Sequence, residues 1–221
     1  MEGGRTERLR GRPDRLLAFS DGVLAIIITL MILEIHLPDL PPHASSQEVH
    51  KAFLGMLPHL LAYVLSFTNL AIFWINHHTL FRIVLEVDTG LLWHNCHMLF
   101  WASLVPLATA FLGDHYLLPE ATLFYGVVQL MVLLAGMAMV AHLFSRRLVH
   151  GALSPAMRRY YTRLNGTSAL LTIAAMLLGY VSTWISIVCF VVIIVLYCVP
   201  KPVEVLQDEQ RLAAEAQEAG Q

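Results

Sequence analysis

The sequence predicts an all-α membrane protein with six transmembrane helices per subunit. Of its 221 residues, 57% are apolar and only 14% are charged, whereas an ordinary soluble domain is about 25% charged. The mean hydropathy is +0.64, and long apolar segments recur along the chain. A water-soluble fold of this size would lack the polar residues needed to cover its surface, so the composition argues against a soluble globular enzyme.

The lengths of the apolar segments identify them as helices. Only helices and closed barrels satisfy their backbone polar groups inside a bilayer. Each segment is about twice as long as a barrel strand, which needs roughly 10 residues. The six predicted helices cover residues 16–37, 53–75, 91–112, 122–144, 164–181 and 183–199.

Three features refine individual spans. Asp21 lies inside the first span and no A-x-A cleavage site follows, so this span is interpreted as a retained helix and not as a signal peptide. Pro106 lies in the middle of the third span and predicts a bend there. The last two spans are separated by so few residues that they are expected to form a hairpin.

The distribution of basic residues predicts that both termini are cytoplasmic. Cytoplasmic segments of membrane proteins concentrate Lys and Arg. Here thirteen basic residues fall in the two terminal segments and in the loops after spans two and four, whereas only Lys51 falls on the other side. The chain therefore divides into a basic tail at 1–15, a transmembrane domain at 16–200 and a second cytoplasmic tail at 201–221, in which 203–217 are expected to form a mostly solvated helix. This distribution explains the basic residues without a nucleic-acid partner.

The first span carries a carboxylate among apolar residues. A charge inside the bilayer is costly unless it is paired or faces water, so Asp21 marks a candidate functional site; the alternative is a helix cap near the interface. At about 100° per residue, an apolar stripe lies about 140° away from Asp21. If the stripe faces a symmetry axis, Asp21 faces its own subunit; the alternative is a stripe that faces lipid or core. The stripe consists of Phe19, Val23, Ile26, Leu30, Leu33 and Leu37.

The residues around Asp21 resemble the signature of the transmembrane protein 175 family in its prokaryotic form. The matching residues in the first span are Arg15, Phe19-Ser20-Asp21 and the following Gly-Val-x-Ala-Ile-x-Ile-Thr-Leu. The resemblance continues in spans two and three at 65–67 (LSF), 73–81 (FWINHHTLF), 91–95 (LLWHN) and 104–109 (LVPLAT). It is specific over about 15–114, just under half of the chain, and beyond that it rests on the number of spans and the loop lengths.

This resemblance implies a potassium channel made of four copies of the chain. Prokaryotic members have six helices per subunit and form tetramers in which the first helix lines a pore on the fourfold axis. Matching positions imply that Ile26 forms the principal constriction and that Leu30 and Leu33 form further apolar rings one and two turns outward. The sequence lacks the TVGYG carbonyl filter of ordinary potassium channels.

The resemblance also implies a polar network that supports the pore helix from behind. It would supply the partners that a carboxylate in the bilayer needs. Its members would be Arg15, Phe19, Ser20, Asp21, Trp74, His77 and Asn95. Taken alone, His77 would be read as an ordinary core histidine, and only the presence of Asp21 and Asn95 at the same depth favours the network. The HxxxH and HxxHH spacings of membrane di-iron enzymes do not occur, so no metal and no cofactor are expected.

Two other classes of function stay open from the residues alone. A secondary cation or proton-coupled transporter would use Asp21 as the proton carrier, although no inverted repeat or broken helix pair is evident. A membrane-embedded enzyme would need a nucleophile–base pair, and none is apparent. The expected function is passive, potassium-favouring conduction in the plasma (inner) membrane. The expected partners are further copies of the chain and the lipid bilayer, with no small-molecule substrate.

Overall fold

The protein is built from α-helices. The computed structural model describes residues 13–149, 151 and 154–219, and within them there are nine helices and no strand beyond one isolated backbone bridge. The helices are α1 Pro13–Leu33, α2 Ser46–Gly55, α3 Leu57–Phe81, α4 Thr89–Ser103, α5 Val105–Asp114, α6 Pro119–Ser145, α7 Pro155–Leu178, α8 Thr183–Cys198 and α9 Val203–Ala219.

One face of α1 packs against α3, α4 and α5. Its buried residues recur every three or four positions, which is the period of a single helical face; they are Leu16, Ser20, Leu24, Ile27 and Met31. The helix begins at Pro13, inside the predicted tail 1–15, of which 1–12 lie outside the described residues. It ends at Leu33, so the predicted span 16–37 is too long and Leu37 lies beyond the helix.

Four segments of the described chain are long and apolar enough to cross a membrane: α1, α2 with α3, α4 with α5, and α6. A fifth is obtained if α8 and α9, whose axes meet at 64°, are counted as one span. Alone, α8 has 16 residues, fewer than the roughly 20 of a typical span. The first half of α7 carries Arg158, Arg159 and Arg163. An all-helical multi-pass protein is confirmed, and the count of six spans stays a prediction.

The second and third spans are each interrupted next to a proline. α2 and α3 meet at Met56, just before Pro58, and α4 and α5 meet at Leu104, just before Pro106. Proline fits the first turn of a helix, where its missing N–H costs no hydrogen bond, but not the interior. The bend predicted at Pro106 is therefore observed as a break between two helices, the second of which begins just before the proline. α3 continues to Phe81, beyond the predicted end of the second span at 75.

The carboxyl-terminal helices pack closely. α7 and α8 are joined by a short turn and lie against each other, as the predicted hairpin requires. Most of the described side chains of α9 are exposed, as expected for a mostly solvated helix at 203–217, but the helix also packs against α7 and buries Val205 and Leu212. These two residues are seven apart and so share one face of the helix. Lys201 also forms an ion pair with Glu209, with Nζ 2.8 Å from Oε1.

Candidate functional site

One apolar face of α1 stays exposed in the single chain. Ile26 is 59% exposed, Leu30 45% and Leu33 70%, whereas Leu24 and Ile27 on the packed face are almost fully buried. In a membrane protein, exposed apolar side chains of this kind border either lipid or another protein copy. The three residues predicted as the constriction therefore lie on a surface that their own subunit leaves open.

Behind that face, three polar side chains connect α1 to α3 and α4. Ser20 on α1, His77 on α3 and Asn95 on α4 are all buried. Nδ2 of Asn95 lies 2.9 Å from Oγ of Ser20, and Nε2 of His77 lies 3.1 Å from Oδ1 of the same Asn95. Because Asn95 contacts both of the other residues, it links the first helix to the third through side chains alone.

The geometry assigns donors and acceptors within this group. Oγ of Ser20 donates to the carbonyl of Leu16 at 2.9 Å, so its lone pairs are free to accept the N–H of Asn95. Oδ1 of Asn95 must then accept from Nε2–H of His77. In this arrangement Nδ1 of His77 carries no proton in the neutral ring and is an acceptor.

Asp21 belongs to a separate pair. Its Oδ1 accepts a hydrogen bond from Nε1–H of Trp74 across 2.9 Å. Asp21 is half-buried and Trp74 is 39% exposed. The pair holds the carboxylate against α3 and away from the exposed face of Ile26, in agreement with the helical wheel.

Two predicted members of the network lie apart from it. Arg15 is exposed, and within the described part of the chain it makes no hydrogen bond or ion pair. Phe19 is 53% exposed, on the same side of α1 as Ile26. The structure therefore brings together Ser20, His77 and Asn95 in one group and Asp21 with Trp74 in another.

Polar contacts inside the spans were missed at the sequence level. Ser66 donates to the hydroxyl of Tyr125 at 3.1 Å and accepts from Thr109 at 2.7 Å, so these side chains connect α3, α5 and α6. Nδ2 of Asn69 donates to Oε1 of Gln129 at 3.0 Å. The available signal was the presence of polar residues at the packed positions of apolar spans, where they need partners.

A second missed cluster joins α4 and α6 next to the bilayer. Asp88 caps α4 by accepting from the backbone N–H of Leu91 at 2.7 Å, and it pairs with Nε2 of His142 at 2.9 Å. Burial by itself raises the pKa of Asp88, but the Leu91 N–H and His142 outweigh it and hold the pKa of this carboxyl below its ordinary value. The His94 ring lies 4.9 Å from that of His142. A Cβ on Gly90 would fall 2.4 Å from the His142 ring, so only glycine permits this approach.

No group of three His, Cys, Asp or Glu side chains that could hold a metal ion occurs among the residues that the structure describes.

Comparisons with known proteins agree with the earlier resemblance. The sequence model of the family described as endosomal/lysosomal potassium channel TMEM175 matches residues 15–106. A protein of Chryseobacterium sp. (strain P1-3) named potassium channel is 45% identical over 121 residues, which are 55% of this chain and 59% of that protein. One of Chamaesiphon minutus with the same name is 31% identical over 193 residues, 81% of this chain and 91% of that protein.

A solved structure shares the fold. The crystal structure of a lysosomal potassium-selective channel TMEM175 homolog from Chamaesiphon minutus superposes with a TM-score of 0.70 and 26% sequence identity. The match covers 84% of this chain and 96% of that one, so it extends well beyond 15–114, the part of the chain over which the resemblance is specific.

Proposed function

The chain belongs to the TMEM175 family in its prokaryotic form, and from this premise we propose that it is a potassium channel whose pore is lined by α1. The pore lies on the fourfold axis of a homotetramer. Conduction is passive, and potassium is the favoured permeant ion. The family is one of ion channels and not of enzymes, and the protein is expected to work without a cofactor.

The observation that carries this proposal is the exposed apolar face of α1. Ile26, Leu30 and Leu33 project from one side of a helix whose other side is packed against its own subunit. Along the axis, Leu30 and Leu33 lie about 6 Å and about 10 Å from Ile26. Four such helices with these faces turned inward would stack three apolar rings, with Ile26 as the principal one.

Apolar rings control ions by a different principle from a carbonyl filter. A narrow apolar segment is poorly wetted, so it blocks ions when it is tight and conducts when it widens enough to hold water. Small displacements of α1 would therefore change conduction strongly. Buried contacts on the packed side of α1, such as those that Asn95 makes with Ser20 and His77, would therefore hold the helix in position and limit changes in conduction.

Six spans and two cytoplasmic termini complete the proposed topology. In this arrangement α7 and α8 are the fifth and sixth spans. The basic residues at the start of α7, Arg158, Arg159 and Arg163, lie at the cytoplasmic surface, where positive charge is favoured. The protein is placed in the plasma membrane of its cell.

A transporter that uses Asp21 as its proton carrier is not favoured. The carboxylate accepts a hydrogen bond from Trp74, on the side of α1 that faces its own subunit. A proton carrier in a transporter must reach both aqueous compartments in turn. The pair of Asp21 and Trp74 lies away from the proposed ion path, which is lined by Ile26.

Ion flux from vesicles tests the proposal. Purified protein in lipid vesicles with a potassium gradient should release potassium passively and faster than sodium, with no requirement for a counter-transported proton. Native mass spectrometry of the same preparation should give four copies per particle. Flux that stops when the proton gradient is collapsed, in spite of a maintained potassium gradient, would instead identify a coupled transporter.

A further inference from the structure

A groove lies between α7 and the junction of α8 with α9. Its volume is about 460 Å³, which is within the range of sites for small organic groups. One wall is a stripe of α7 that runs from Ala156 to Thr167, and the other consists of the end of α8 and the start of α9. The axes of α8 and α9 meet at 64°, and the groove opens where the chain turns from one helix into the other.

Two arginines of α7 line this groove. Arg159 and Arg163 are four positions apart, so they share one face of the helix, and both side chains are exposed. Neither forms an ion pair with any residue that the structure describes. Nε of Arg159 donates to the carbonyl of Pro155 at 3.3 Å, which leaves the terminal N–H groups of its guanidinium available. Like charges at this spacing repel each other, and an anion bound between them would remove the repulsion.

The acidic residue of the lining does not cancel this charge. Glu204 lies at the start of α9, on the wall opposite the arginines, and its side chain is exposed. Within the described ranges it pairs with neither Arg159 nor Arg163. Two arginines and one glutamate give the groove a net positive charge, which favours an anionic ligand.

The groove also has an apolar floor that continues along the helices. The apolar residues of the floor are Leu164, Leu196 and Val199. Beyond the groove, the face of α7 that carries Arg163 continues at intervals of seven residues with Leu170 and Leu177, which are 70% and 67% exposed. On this face α7 is therefore basic at one end and apolar along the rest, as is typical of a helix that enters a bilayer at its charged end.

The chemistry of the lining indicates a phosphate group attached to an apolar chain. A guanidinium binds phosphate oxygens through two parallel hydrogen bonds, and basic pockets between helices at the cytoplasmic membrane surface bind anionic lipid headgroups. A free phosphate ion would use the arginines but would leave the floor of Leu164 and Val199 uncovered. A phospholipid uses both, because its acyl chains can lie on the floor and continue past Leu170.

We propose that this groove binds an anionic phospholipid, with the headgroup phosphate at Arg159 and Arg163 and an acyl chain along Leu164 and Val199. Membrane topology explains why basic residues occur at this end of α7, but it does not explain why two of them line one groove with an apolar floor. The assignment to the cytoplasmic leaflet rests on the topology given with the proposed function. The binding itself does not depend on conduction.

Three neighbouring arginines supply the variants and their control. Arg159→Gln and Arg163→Gln each remove one charge from the groove. Arg158→Gln removes the same charge from the adjacent position, which is exposed but does not line the groove. Glutamine keeps a polar side chain with good helix propensity, and size exclusion and thermal unfolding establish that the variants are folded. Glu204→Gln removes the acidic residue and is expected to strengthen binding, so it tests the site by a gain.

Photolabelling measures the binding. The probes are phosphatidylglycerol and phosphatidylcholine that carry the same diazirine-labelled acyl chain, each added as a minor component to phosphatidylcholine vesicles that contain the protein. Mass spectrometry then locates the labelled residues. Phosphatidylglycerol should label 160–167 and 196–205 about fivefold more than phosphatidylcholine, as expected for one net positive charge near the membrane surface. Arg159→Gln or Arg163→Gln should make the labelling by the two lipids about equal. Arg158→Gln should leave the ratio unchanged, and Glu204→Gln should raise it about fivefold further.

The outcomes separate the groove from other sources of anion binding. Equal labelling of the wild type by the two lipids overturns the proposal. A reduction with Arg158→Gln as large as that with Arg163→Gln also overturns it, because general attraction to a basic surface would then suffice. Displacement of phosphatidylglycerol by millimolar glycerol 3-phosphate would identify a soluble phosphate compound as the occupant and overturn the lipid. A protein that labels as expected but carries no potassium would contradict the proposed function and not the lipid site.

Discussion

Nε2 of His77 lies 3.1 Å from Oδ1 of Asn95 although the two residues are on different helices and 18 positions apart. The amide of Asn95 is fully buried and uses its other end to donate to Ser20 at 2.9 Å. Neither a carboxylate nor an aliphatic side chain at position 95 could both accept from an imidazole and donate to a hydroxyl. The residue is therefore suited to join three helices at one point.

Asn95→Ala should destabilise the protein by about 1–3 kcal/mol, because it leaves the buried Nε2–H of His77 without a partner. Cys96→Ala, at the next position of α4 but exposed, is the matched control and should have little effect. Thermal unfolding and the fraction of assembled protein on size exclusion provide the measurement. The potassium-to-sodium permeability ratio of the protein that still assembles should be unchanged. Equal stability of the two variants would contradict a supporting role for Asn95.

Asp21 and Trp74 should show an energetic coupling of about 1 kcal/mol in a double-mutant cycle of Asp21→Asn and Trp74→Phe. The value is below that of a fully buried charge pair because both side chains are partly exposed. Unfolding in denaturant gives the four free energies. Flux through each variant also separates the two candidate functions: a channel keeps conducting with Asp21→Asn, whereas loss of flux from a folded, assembled variant would support a transporter.

Ile26→Ser should increase potassium flux and reduce the preference over sodium, because a hydroxyl ring is wetted more readily than a ring of isoleucine. Ile32→Ser is the control, since Ile32 is 46% exposed on the same helix but lies away from the apolar stripe. Single-channel recording measures conductance and reversal potential for both. An increase with Ile32→Ser and none with Ile26→Ser would place a different face of α1 at the pore.

Asp88 should make a contribution to the free energy of unfolding that depends on pH. Its pKa in the folded protein is lower than its ordinary value of 3.8, so the contribution is present above that value and is lost as the pH falls through the lowered pKa. Asp88→Asn keeps a helix cap but loses the negative charge that the Leu91 N–H and His142 stabilise, whereas Asp88→Ala loses the cap as well and should cost about 1 kcal/mol more at neutral pH. Unfolding measured against pH should show a larger acid-dependent part in the wild type than in Asp88→Asn. An identical dependence of stability on pH in the wild type and in Asp88→Asn would contradict this role of Asp88.

The sequence could predict those features that depend on a single helix. The stripe of Ile26, Leu30 and Leu33 follows from helical periodicity, and the exposed residues of α1 match it. The resemblance to a family already implies that Ser20, His77 and Asn95 belong to one network. Their order, with Asn95 in the middle, needed the structure.

Features that depend on two surfaces meeting could not be predicted in the same way. The exposure of Arg15, the burial of one face of α9 and the hydrogen bond between Asn69 and Gln129 each result from how separate helices pack. Apolar residues such as Val205 and Leu212 indicate that a helix has a face to bury, but they do not identify the partner. At α9 the composition indicates a mostly exposed helix, and the many charged residues make its narrow apolar face hard to recognise.

The close approach of Gly90 to the ring of His142 has an evolutionary consequence. Any relative with a larger residue at position 90 must turn or shorten the side chain at 142, or separate α4 from α6. The two positions are therefore expected to diversify together across homologues. A chimera that receives a foreign α4 alone should assemble poorly when its residue 90 is bulky, and transplanting the donor's α6 alongside should restore it.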